Sequence, residues 1–174
     1  MTKTSLLAAS AALAVAMATA PATAEIRVTF QESAPKDIFQ IINTSGCGMG
    51  PVSVEIDLSA SSAGLIFDPT ASGAGVSVYQ PFELVSGDVD GVAEVSDGDT
   101  RLSLDLPGLA PGGRVVFTID IDDTLIDGPM GQTMVAGSEI AGARVNATVP
   151  GGQTISGTFG VDAAAAVPLQ ACIS

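Results

Sequence analysis

Histidine and tryptophan are absent from this 174-residue chain, tyrosine occurs once, and lysine and arginine together number six. Without histidine there is no Ser-His-Asp or Cys-His nucleophile system and no histidine-based zinc site. Lys3 and Lys36 are the only lysines. A Schiff-base role therefore rests on Lys36 with no supporting pattern around it. Neither a Gly-x-Ser-x-Gly elbow nor a phosphate-cradling glycine loop is present. Paired carboxylates suffice for glycoside hydrolysis, but sugar clefts call for aromatic platforms, and Tyr79 is the sole tyrosine. These absences point to a protein that is not an enzyme.

Against the few basic residues stand 19 aspartates and glutamates, for a net charge of −13. Binding DNA, RNA or anionic lipid depends on basic side chains that neutralise phosphates, so nucleic-acid partners are excluded. Such a surface attracts divalent cations and basic partners instead. The charge does not signal disorder, because apolar residues are plentiful and alternate regularly with polar ones.

The first 24 residues read as a secretory leader. Lys3 supplies a positive start, Ser5 to Ala20 is an apolar run, and Ala22-Thr23-Ala24 is a small-x-small cleavage pattern. Cleavage is expected before Glu25, leaving one domain over 25–174 with a net charge of −14. No later segment is apolar and long enough to span a bilayer, so no membrane insertion is expected after cleavage. The expected address is secreted, extracellular or cell-surface, with the periplasm as the alternative. Cys47 and Cys172 are the only cysteines, and an oxidising compartment favours their pairing as one internal disulfide.

Period-two alternation runs through the exported part. Ile26, Val28 and Phe30 form one stripe; Val52, Val54, Ile56 and Leu58 form another. Leu102, Leu104 and Leu106 make a third, and Val115, Phe117, Ile119 and Ile121 the longest. Val145, Ala147 and Val149 lead through Pro150-Gly151-Gly152 into Ile155, Gly157, Phe159 and Val161, a hairpin pattern. Shorter β-prone runs cover Phe39 to Ile42, Leu65 to Phe67, Val76 to Tyr79 and Phe82 to Val85. The alanine run from Ala163 to Ala166 is too short to nucleate a helix. About nine or ten strands in one antiparallel domain predict an all-β fold, a single β-sandwich of immunoglobulin-like or jelly-roll type.

Two acidic stretches stand out. Asp120, Asp122 and Asp123 end the longest stripe, with Asp127 just beyond. Alternation puts Asp120 and Asp122 on one polar face and Asp123 at the turn. Hard cations such as calcium take six to eight oxygens, which clustered carboxylates can supply. The second stretch holds Asp88, Asp90, Glu94, Asp97 and Asp99. A solvated face that keeps an exported protein soluble is the other reading of both. Of the two, the first is the better candidate for Ca²⁺. Asn43-Thr44-Ser45 and Asn146-Ala147-Thr148 fit the glycosylation pattern, which three residues match readily by chance.

Several stretches are similar to small secreted proteins of alphaproteobacteria labelled aggregation factor core. They are Ala34-Pro35-Lys36-Asp37, Ala63 to Asp68, Gln80 to Val85, Asp97 to Gly112, Phe117 to Thr124 and Ser138 to Val145, together with both cysteines. The resemblance implies adhesion or extracellular-matrix association, assisted by calcium. The expected function is thus a non-catalytic structural or adhesive module, with other surface or matrix proteins or glycans as partners. The alternative is a periplasmic accessory domain that binds a small ligand or a protein.

Overall fold

The structure, a computed structural model, describes residues 24–33, 36–72, 79–125, 134–169 and 172. Twelve strands are found among them: β1 (Ala24–Gln31), β2 (Asp37–Asn43), β3 (Val52–Asp57), β4 (Ile66–Phe67), β5 (Glu83–Ser86), β6 (Gly91–Val92), β7 (Arg101–Leu106), β8 (Arg114–Ile119), β9 (Ile121–Asp122), β10 (Arg144–Thr148), β11 (Thr154–Thr158) and β12 (Ala164–Leu169). They build two five-stranded antiparallel sheets, ordered β12-β1-β2-β8-β5 and β11-β10-β3-β7-β6, and a small β4–β9 pair. Apart from a 3-10 turn at Leu58–Ala60, no helix lies among the described residues, and none is long and apolar enough to cross a membrane.

The alternating stripes dictate this sandwich. Ile26 and Val28 of β1, Phe39 and Ile41 of β2, and Val115 and Phe117 of β8 are fully buried on one sheet. Val54 and Ile56 of β3, Leu102 and Leu104 of β7, and Val145 and Ala147 of β10 are fully buried on the other. All belong to one continuous core. Side chains at alternate strand positions share a face, so each stripe buries one face and wets the other. Phe39 stacks on Phe117 with ring centroids 5.3 Å apart, and Phe82 also stacks on Phe117 at 5.1 Å. The Cys47–Cys172 disulfide closes a separation of 125 residues and fastens Cys172, which follows β12, to the β2–β3 connection.

The sequence stripes and the strands differ in places. The Val115–Ile121 stripe is two strands rather than one, because the chain changes partners at Asp120. β8 pairs with β2 and β5, whereas β9 pairs with β4. The alanine run forms β12 and pairs with β1, extended because β1 offers an open ladder on that side. The Val145–Val161 hairpin is present as β10 and β11, but its second strand ends at Thr158 and Val161 stands exposed in a turn. Of the run Val76 to Tyr79, residues 76–78 lie outside the described residues and Tyr79 is exposed outside any strand. Residues 1–23 of the expected leader also lie outside them. Ala24 opens β1 opposite Leu169, so the cut expected before Glu25 falls one residue inside that strand.

Candidate metal centre

At one end of the sandwich the chain brings three aspartates together. Asp68 follows β4, Asp122 lies in β9 opposite Ile66, and Asp120 forms the joint between β8 and β9. Backbone bonds lock the joint. Asp68 N donates to Asp120 O at 3.1 Å, Asp120 N to Gln80 O at 3.3 Å, and Gln80 N to Pro69 O at 3.2 Å. Asp68, Asp120 and Asp122 each offer a carboxylate oxygen within 4.8 Å of the other two. Asp68 and Asp122 are 1% exposed and Asp120 is 9% exposed.

A fourth aspartate adds to the charge. Asp37 opens β2, is buried, and accepts hydrogen bonds from Ile121 N at 3.2 Å and Ser33 N at 3.3 Å. Burial pushes its carboxyl up from the ordinary 3.8 to about 8; the two backbone bonds pull the other way, and the charges of Asp120 and Glu32 push it further up. Asp120 is raised to about 7, first by burial and then by the charge of Asp68. Both influences on Asp120 act against ionisation.

The basic residues of the described chain are engaged or placed elsewhere. Arg27 meets Asp162 at 3.7 Å, Lys36 meets Glu83 at 2.6 Å, and Arg101 meets Asp57 at 3.2 Å. Arg114 begins β8, six positions before Asp120, or about 20 Å along an extended strand. Arg144 is exposed at the start of β10, in register with Asp57 of the neighbouring β3, and both lie in the sheet that does not contain β8.

Crowded carboxylates in a low-dielectric site are relieved by protons or by a cation. The donor set here is all oxygen, which suits hard ions and not zinc or copper. Calcium sits about 2.4 Å from its ligands, so two oxygens on opposite sides of the ion are about 4.8 Å apart. The spread of the three carboxylates therefore fits around one such ion. Gln80, whose backbone is bonded to Pro69 and Asp120, carries a side-chain Oε1 that is buried with no hydrogen-bond partner among the described residues.

The structure unites Asp120 and Asp122 of the sequence-predicted set but leaves out the other two. Asp123 is buried outside this group, with Oδ1 accepting from Leu125 N at 2.8 Å in a local turn. Asp127 lies outside the described residues. The expected wet polar face is corrected: Asp120, Asp122 and Asp123 are all buried, because β4 and the preceding turn cover the β8–β9 joint. Asp68 was missed, since no spacing links it to residues more than 50 positions later. In the second acidic stretch Asp88, Asp90, Glu94 and Asp99 are exposed, and Asp97 accepts from Thr70 N at 2.7 Å and from Thr70 Oγ1. That stretch is the solvated face.

The sequence marked Asn43 only as the start of a glycosylation pattern and gave no sign of its buried role. Fully buried at the end of β2, its Nδ2 donates to the carbonyls of Cys47, Leu109 and Ala110 at 2.7, 3.0 and 3.1 Å. Its side-chain amide is thus committed inside the fold rather than offered for glycosylation. An open depression of about 310 Å³ between Pro51, Leu106, Val149 and Pro150 carries the carboxylates of Asp90 and Asp105.

No protein-family model matches the chain, and neither the curated proteins nor the solved structures contain a match.

Proposed function

We propose that this protein is an exported, non-catalytic structural or adhesive module of the cell surface or extracellular matrix. Its fold is completed by a hard divalent cation, calcium, held by Asp68, Asp120 and Asp122. The observation that carries this reading is the convergence of three buried carboxylates within 4.8 Å. The internal disulfide supports an oxidising destination, and the absence of histidine supports a role without acid–base or nucleophilic chemistry.

The test is self-association and cell binding of the oxidised protein in millimolar calcium and then in chelator. Calcium-dependent association that Asp68→Asn and Asp120→Asn abolish supports the proposal. A monomer that neither binds cells nor responds to calcium removes it. The depression lined by Pro51 and Leu106 favours a second reading, a periplasmic domain that binds a small ligand or a protein. Recovery of the protein only from the culture medium or the outer surface excludes that one.

A further inference from the structure

The two flanks of the sandwich are finished differently. On one, β11 and β12 lie against each other, so closely that a Cβ on Gly157 would sit 2.3 Å from the Ala166 carbonyl oxygen. On the other, β5 ends one sheet and β6 ends the opposite sheet, joined by four residues. β6 has only two residues, so the opposite sheet stops short of β5. All four residues of β5 are exposed as a result, although Leu84 stands across from the buried Phe117 on the core side.

Three of the seven large apolar side chains that are exposed among the described residues fall on this flank. They are Leu84, Val85 and Val92. The inner edge of β5 is bonded to β8, and its outer edge has no strand partner among the described residues. An open edge strand with apolar side chains is a template for strand addition.

Charge selects the occupant. Glu83, Asp88, Asp90 and Glu94 are exposed along the flank. The cations near it are Lys36, already bonded to Glu83, and Arg114, where β8 begins beside Gly87. A second copy would set one strongly acidic surface against another, since the chain carries a net −13. We propose that the outer edge of β5 is a docking site for an extended segment of a partner protein in which apolar and basic residues alternate. The segment adds a sixth strand beside β5, setting its apolar side chains on Leu84 and its basic ones among the flank carboxylates.

This deepens the reading of the protein as a binding module but does not depend on the cation. The cation is read out by thermal stability and docking by amide protection, so either can fail alone. The experiment titrates the oxidised protein with a blocked peptide of roughly ten residues alternating Val and Lys. A control peptide carries Glu in place of Lys, and amide NMR and hydrogen exchange are the readouts. Saturable binding of the Val/Lys peptide is expected, with slowed exchange at Glu83–Ser86 and silence from the control. Val85 is 60% exposed, so Val85→Lys leaves the core intact. It is expected to weaken the peptide about tenfold, as is Val85→Pro, which removes a backbone donor. If the proline variant does not fold, the lysine variant decides. No saturable binding, equal binding of the two peptides, or protection away from β5 overturns the proposal. So does a dimer of the protein alone that Val85→Lys dissolves, because the occupant would then be a second copy.

Discussion

Calcium should stabilise this protein strongly near pH 8 and weakly near pH 5. In the folded state Asp37 titrates at about 8 and Asp120 at about 7, against an ordinary 3.8. Between those values the folded protein holds protons that the unfolded chain has released. Cation-free stability is therefore fully present below the ordinary carboxylate range and is lost as pH rises through about 7 to 8. At about 1.4 kcal/mol per unit, the displacement of the well-buried Asp37 amounts to a few kcal/mol, and solvent screening makes the share of Asp120 smaller. A calcium ion held by the cluster replaces the protons and reverses the loss. At a hundred times its dissociation constant it adds about 2.7 kcal/mol, or roughly 5–10 °C for a domain of this size. Near pH 5 the ion must first displace protons, so the shift should shrink to about 2 °C or less. Calorimetry in chelator and in calcium at the two pH values measures both effects, and it suits a chain without tryptophan. A cation-free melting temperature that rises from pH 5 to pH 8 would refute the reasoning about the buried carboxylates. A calcium shift that is absent at both, or equal at both, would refute the site.

Asp120→Asn removes one like charge at nearly constant shape. It should abolish the calcium shift and, in chelator near pH 8, raise stability by about 1–3 kcal/mol; calorimetry of the variant reads both. Removing the disulfide as Cys172→Ser frees a loop of 125-residue separation, which the chain-entropy relation puts at about 5 kcal/mol. Urea unfolding followed by circular dichroism should show a loss of that order, and a loss below about 1 kcal/mol would mean the tail is held without it. Asn43→Ala removes the side-chain bonds to the carbonyls of Cys47, Leu109 and Ala110, leaving each with one other donor, Ser45 Oγ, Met49 N and Gly113 N respectively. A cost of about 1–3 kcal/mol is expected in the same assay, because several hydrogen bonds are lost while the acceptors keep their backbone or hydroxyl donors.

How far the fold was legible depended on local pattern. Ile26–Phe30, Val52–Leu58 and Leu102–Leu106 appear as strands because alternation is written into each segment and needs no distant partner. The alanine run at β12 carries no alternation of polarity, and its extended form comes from pairing with β1. The acidic site was half legible for the same reason. Asp120 and Asp122 stand together in sequence, but Asp68 joins them only because β4 pairs with β9. Nothing in an aspartate's neighbours says whether it will be buried, so Asp120–Asp123 and the exposed Asp88–Asp99 stretch read alike.

β2 connects two differently secured ends of the molecule. At Asn43 the strand finishes beside the disulfide-bonded Cys47, where three carbonyls converge on one amide. That end is held by a covalent bond and neutral hydrogen bonds, neither of which responds to pH near neutrality. At Asp37 the same strand begins beside Ile121 and within the field of Asp120. This end is held by groups that repel one another once ionised. Gln80, three residues before β5, is bonded by its backbone to Asp120 at this conditional end. A change in protonation or cation occupancy should therefore loosen the β8–β9 joint and the lead into β5 before it disturbs the disulfide end. Unfolding of the cation-free protein near pH 8 should begin there, with exchange at Gln80 and Ile121 faster than at Asn43. Uniform exchange along β2 and β8 would show that the two ends are equally secured.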